Sequence, residues 1–139
     1  MTLTEAFLAR FGTPLAAVVG TRVREVPSPK DVLPYVTFSV ISEVPGRTQD
    51  GQDGEPFARI QVDCWSYSSV EAQAVARVVR TQAKSDEDTL AAGVTWGTLR
   101  ITDLQAEDVG RTDYEQPQDA SERGVYRASL DLVLNYVEG

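Results

Sequence analysis

With 139 residues, 42% of them hydrophobic and 24% charged, the chain is long enough to bury one core and too short for two comfortable ones. Thirteen basic against twenty-one acidic residues leave a formal net charge of −8, a field that repels phosphate and anionic lipid and disfavours nucleic-acid recognition. Histidine is absent, which excludes histidine triads, histidine-ligated metals and a histidine pH switch.

At the N-terminus Thr4, Glu5, Arg10 and Pro14 interrupt any apolar run, so no signal peptide is expected. No window approaches the roughly 20 apolar residues of a membrane-spanning helix. Ala6, Phe7 and Phe11 have helical spacing, Thr2 or Thr4 can cap them, and Gly12, Thr13 and Pro14 are expected to close a short first helix over 4–11. Pro14 then opens a further turn through Val19, ended by Gly20. Pro27, Pro29 and Pro34 deny the next stretch a ladder or helix until Tyr35.

From Tyr35 to Ile41, Val36, Phe38 and Val40 alternate with polar residues, the period of a half-buried strand. A second run from Ala58 to Tyr67 sets Ile60, Val62 and Cys64 against Arg59, Gln61, Asp63 and Trp65, and the two runs are expected to pair antiparallel. Ser68 and Glu71 have capping-box spacing before a stripe of Ala72, Val75, Ala76, Val79 and Ala83, which predicts a helix from about Ser69 to about Lys84. Ser85 to Asp88 can start another short turn, since carboxylates favour a helix N-terminus. Val94 and Trp96, then Leu99 and Ile101, read as one strand with a bulge at Gly97. Tyr126 to Tyr136 alternates over the longest stretch and is expected to be central or projecting. The pattern is that of one α/β (α+β) domain over 1–139, a mainly antiparallel sheet of four to five strands packed against two to three helices.

Two connections are expected to be long acidic loops. Residues 42–57 carry Glu43, Asp50, Asp53 and Glu55 against Arg47; residues 105–124 carry Glu107, Asp108, Asp113, Glu115, Asp119 and Glu122 against Arg111 and Arg123. Together they hold seven of the eight net negative charges, either as ordinary solvated acid or as walls facing something negative that must not stick.

No constellation demands catalysis. Asp86, Glu87 and Asp88, or Glu107, Asp108 and Asp113, have the oxygen chemistry of a Mg²⁺ or Ca²⁺ site but not its spacing, and read as surface acid. Asp63, Asp103 and Asp131 can supply a glycosidase-like carboxylate pair only if the fold sets them across a cleft; strand acids facing solvent or a neighbour are the simpler reading. Cys64, the one cysteine, forms no internal disulfide, fits a reducing cytosol, and sits on the apolar parity of its strand as a small core residue. No catalytic, cofactor-binding or metal residue is expected. Trp65 and Tyr67 fall on the face opposite Ile60 and Val62, so either a helix buries them or, with Tyr35 and Ile41, they form a subunit or tube interface.

The order of Val19-Gly20-Thr21-Arg22-Val23, Leu33-Pro34-Tyr35-Val36, Ile60-Gln61-Val62-Asp63-Cys64-Trp65-Ser66, the helix with Glu71-Ala72, and Tyr126 to Leu132 resembles the tail completion, or tail terminator, proteins of long-tailed bacteriophages and gene transfer agents. The resemblance implies a non-enzymatic virion protein, assembled in the host cytoplasm, whose copies form a homo-oligomeric ring, by preference a hexamer. That ring would cap the head-proximal end of the tail tube and stop its polymerisation. Its implied partners are the tail tube protein and the head-tail connector protein, with DNA passing through the lumen unbound and no membrane contact. On this reading Glu43, Arg47, Asp50, Asp53, Glu55, Glu107, Asp108, Asp113 and Glu115 line lumen or docking loops. A head-to-tail joining protein of the connector and a small carboxylate- or metal-dependent hydrolase are the rival expectations.

Overall fold

The computed structural model describes residues 1–25, 32–44, 57–115 and 124–138, with the backbone alone at Val44 and at 108–111. One face of a six-stranded sheet is covered by two helices. The first helix, α1, spans Leu3–Val19; Thr2 Oγ1 accepts from Glu5 N–H at 3.2 Å while Glu5 Oε1 accepts from Thr2 N–H at 3.2 Å, a complete capping box. It does not stop at Gly12-Thr13-Pro14, contrary to the sequence expectation. Leu3, Phe7, Phe11, Leu15 and Val19 are all buried on one stripe that continues across the proline, and that burial outweighs the hydrogen bond Pro14 cannot make.

Two residues, Val23–Arg24, form β1, which pairs parallel with β2, Tyr35–Val44. This short strand has no period to betray it in the sequence. β2 pairs antiparallel with β3, Phe57–Ser66, as expected, with a register shift at Ile41 between Val40 and Ser42. The second helix, α2, runs Ser69–Asp88 from the Ser68 cap, and its stripe Ala72, Val75, Ala76, Val79 and Ala83 is buried as expected. Asp86, one further step along the same stripe, is buried too, so Ser85 to Asp88 end this helix and start no new one. A 3-10 turn, Leu90–Ala92, leads to β4, Val94–Trp96.

Gly97 makes a hairpin turn where a bulge was expected: Trp96 lies opposite Leu99, leaving Gly97 and Thr98 as a two-residue connection with Gly97 at φ +61°. Beyond it β5 spans Leu99–Glu115 and β6 spans Val125–Glu138, in sheet order β1-β2-β3-β6-β5-β4. The sheet therefore has six strands, against the four to five expected, and it is mixed because β1 is parallel. Residues 105–115 are strand, which corrects the acidic loop expected over 105–124. Pairing with β6 at Gln105↔Val133 through Glu115↔Val125 holds them extended, with the register shift between Asp108 and Thr112 absorbing the break in their alternation. Likewise Glu43 lies in β2 and Phe57 in β3, while 45–56 and 116–123 fall outside the described residues.

Ala58, Ile60, Val62, Cys64, Ala128, Leu130, Leu132 and Leu134 face the helices and are buried. Phe7 stacks on Phe11 at 4.7 Å and meets Phe38 at a tilt at 4.3 Å, and Phe11 meets Trp96 edge-on at 5.0 Å, so aromatic packing locks α1 to β2 and to β4. Arg10, Asp86 and Trp96 add a polar clasp. Asp86 accepts from Arg10 Nε at 2.8 Å, from Arg10 Nη2, from Gln82 Nε2 at 3.1 Å and from Trp96 Nε1 at 3.0 Å, tying α1, α2 and β4 at one buried carboxylate.

Candidate functional site

Strand periodicity that buries one face presents the other, and here no described element covers it. Across this open face the register aligns Tyr35, Trp65, Arg127 and Asp113 in one row spanning β2, β3, β6 and β5. The Tyr35 and Trp65 rings lie 6.2 Å apart, and Arg127 sits over the Trp65 ring at 5.4 Å in a cation–π contact. Arg127 Nη2 reaches Asp113 at 3.4 Å and its Nη1 reaches Glu115 at 3.8 Å. Its Nε is buried and has no acceptor among the described residues. Trp65 Nε1 donates to Thr37 Oγ1 at 3.0 Å, which ties the indole to the neighbouring strand β2.

The next rows are polar. Asp63 accepts from Ser129 Oγ at 2.5 Å and from Gln61 Nε2 at 3.1 Å. Arg59 Nη1 bridges Glu107 at 3.0 Å and Asp131 at 2.8 Å; its hydrogen bonds, first to Glu107 and then to Asp131, raise the guanidinium pKa. Asp63 and Asp131 are thus held by hydrogen bonds along the sheet surface. Asp103, also solvent-facing, accepts the Leu104 N–H at 2.9 Å. Such placement is that of strand acids turned to solvent or a neighbour. Among the described side chains of this face, Asp63, Asp103, Glu107, Asp113, Glu115 and Asp131 stand against Arg24, Arg59, Arg100 and Arg127, so the carboxylates outnumber the guanidiniums by two.

The expected interface residues divide. Tyr35 and Trp65 pair directly, and Trp65 is partly buried on the face opposite the helices. Tyr67, just past β3, is 44% exposed. Ile41, 51% exposed at the register shift, stands at the other end of β2, about 20 Å from Tyr35. Of the expected loop residues, Glu107, Asp113 and Glu115 come together on the open face through Arg59 and Arg127, and Asp108 lies opposite Leu130 in β5. Glu43 accepts the Tyr136 hydroxyl, whose pKa is raised by burial and by that bond. Arg47, Asp50, Asp53 and Glu55 lie outside the described residues.

Sequence reasoning missed Arg59 and Arg127 as the organisers of this face, although both occupy the polar parity of clearly alternating strands. Asp86 was expected on the surface; its place three residues after Ala83 on the buried stripe is the signal that marks it as internal. Cys64 is buried as expected, and desolvation, with Asp63 beside it, pushes its thiol up to about 12. Among the described residues no group of three or more acidic or cysteine side chains is placed to hold a metal ion, and no helix is long and apolar enough to cross a membrane.

The profile of the family described as tail completion protein gp17 matches residues 6–130. No curated protein matches the chain. Among solved structures the chain is similar to one described as the virion of a native gene transfer agent (GTA) particle, with a TM-score of 0.61 and 18% identity over 99% of this chain and 100% of that one. At that identity the likeness is one of fold.

Proposed function

Since the chain belongs to the tail completion protein gp17 family and is thereby a structural protein of the phage tail, we propose that its copies close into a ring, by preference a hexamer, on the head-proximal end of the tail tube. The observation that carries this reading is the extent of the family match, residues 6–130, which includes both helices and most of the sheet. Bound there, the ring ends tube polymerisation by occupying the growing end and offers the head-tail connector protein its docking surface. Its work is mechanical and needs no catalysis.

A ring of identical subunits closes only through a heterologous contact, one surface of each copy meeting a different surface of the next. The two faces of this sheet are different in that sense. One is roofed by helices; the other is open, acidic and marked by Tyr35 and Trp65. On this reading Glu43, Arg47, Asp50, Asp53, Glu55, Glu107, Asp108, Asp113 and Glu115 line the lumen or the docking surface, and like charge along a lumen lets DNA pass without counterion-releasing contacts.

The test is to delete the gene from the particle that encodes it and measure tails by electron microscopy. Tubes of uncontrolled length without attached heads are expected. Tails of normal length that fail only to join heads would instead place the protein on the connector side, and antibody labelling of isolated tails locates the end directly.

A further inference from the structure

The last long strand on each side of the sheet is only partly covered. β1 pairs with β2 at Val36 and Thr37, and β4 pairs with β5 at Leu99 to Ile101. Among the described residues, Phe38 to Val44 of β2 and Asp103 to Asp108 of β5 therefore have a strand on one side and none on the other. The register sets these two stretches level. Phe38 shares a row with Val62, Leu130 and Asp108, Val40 shares one with Ile60, Leu132 and Ala106, and Val44 shares one with Phe57, Asn135 and Asp103. Neither short strand stands in the way. The rows that β1 flanks reach β5 at Thr112 and at the register shift before it, and β4 lies past the row where β2 ends.

The two stretches differ in chemistry and in shape. That of β5 bears Asp103 and Glu107, whereas that of β2 bears Glu43 as its one charge. Carboxylates set against carboxylates disfavour the pairing of β5 with a second β5, so the strand it admits is one with little charge. Ile41, the extra residue at the shift in β2, is 51% exposed and stands between the row of Ala106 and that of Gln105. On the opposite edge Gln105 and Ala106 line a groove of about 570 Å³ between α2 and β5, with Arg80, Thr81, Lys84 and Glu87 as its other walls. Lys84 gives its ammonium to Asp88 at 3.2 Å and leaves its methylene stem, with that of Arg80, to meet an apolar side chain.

From these matched edges we infer that the free edge of β5 in one copy receives the free edge of β2 in the next as an added strand, with Ile41 seated in the groove beside α2. Strand direction agrees. β2, β3, β6 and β5 alternate in direction, so β2 runs opposite to β5, and rotation about an axis roughly along the strands preserves this and yields an antiparallel ladder. Copies joined in this way continue one sheet, with every helix layer on the same side, instead of stacking one face on another. The register shifts in β2 and β5 bend their strands, and a bent sheet continued through identical copies closes into a barrel, which leaves no edge open. The occupant of the β5 edge is a second copy of this chain, and the assignment rests on the ring reading above and specifies its subunit contact.

Cross-linking tests the pairing directly. Ser39 and Gln105 are both exposed, and across the joined edges they lie diagonal to one another, roughly 7 Å apart. In a Cys64→Ala background, S39C and Q105C are treated with a short bis-maleimide. The two single variants mixed in equal amounts should give a dimer holding one of each, S39C/Q105C in one chain should give a ladder of multimers, and each single variant alone should stay uncross-linked. Ile41→Asp should weaken concentration-dependent association in light scattering by on the order of tenfold while its urea midpoint stays that of the wild type, and Ile41→Val should keep most of the association. Dimers from either single variant alone, no mixed dimer, wild-type association in Ile41→Asp, or a wild-type chain that stays monomeric at every concentration overturns this contact. A ladder without an upper limit supports the edge pairing and counts against the ring, and tail length in the deletion strain reports separately on the terminator reading, so the two fail distinguishably.

Discussion

Asp86 joins three elements, accepting hydrogen bonds from Arg10 in α1, Gln82 in α2 and Trp96 in β4. Nearly every direction around its carboxylate is occupied by a donor, and its partner Arg10 raises its own pKa chiefly through their hydrogen bond. The pair alone is weak grounds for stability, since desolvating both charges offsets much of their attraction. Removing one member is a different matter, because it strands the other. Asp86→Ala is therefore expected to destabilise the chain by about 3 kcal/mol in urea unfolding, leaving Arg10, Gln82 and the Trp96 indole N–H without their acceptor. This residue also shows where reading the sequence falls short. A carboxylate between Ser85 and Glu87 looks like solvent-facing acid, and only the phase of the helix, with the arrival of Arg10 from 76 residues away, makes it internal.

At the level of elements, legibility followed periodicity. β2, β3, β6 and α2 show in their alternation because each buries one face, whereas β1, two residues long, and the outer half of β5, broken by a register shift, carry no clean period. The open face was legible as a parity but not as a set of contacts, since Arg127 meets Asp113 and Glu115 only through a register that the sequence does not state. The interruption of α1 was misjudged because Gly and Pro are local signals, while the stripe that overrides them is satisfied by tertiary packing. Two glycines separate the cases by experiment. Gly12 sits inside α1 with nothing within 4 Å of an added Cβ, so Gly12→Ala should stabilise the chain by about 0.5–1 kcal/mol. Gly97 has positive φ, and its added Cβ would meet the Met1 side chain, so Gly97→Ala should destabilise by about 1 kcal/mol; thermal or urea unfolding of both variants checks the opposite signs.

For the molecule as a whole, stability should fall on the alkaline side. Burial raises the Cys64 thiol from an ordinary 9.0 to about 12, and burial with the Glu43 bond raises the Tyr136 hydroxyl above its ordinary 10.0. Both groups keep their protons in the folded chain at a pH where the unfolded chain has released them. Their contribution is therefore complete below about pH 9 and declines as the pH climbs towards 12. Urea midpoints taken across that range should drop, and Cys64→Ala with Tyr136→Phe should flatten the decline. The chain also carries two tryptophans on opposite sides of its sheet. Trp96 is sealed in the interior between Phe11 and Asp86, and Trp65 lies on the outer surface under Arg127. Emission from the first follows unfolding alone, while emission from the second answers to whatever lands on that surface. Replacing either indole by phenylalanine leaves a chain with one intrinsic optical probe, so loss of structure and arrival of a neighbour can be followed separately without attaching a dye.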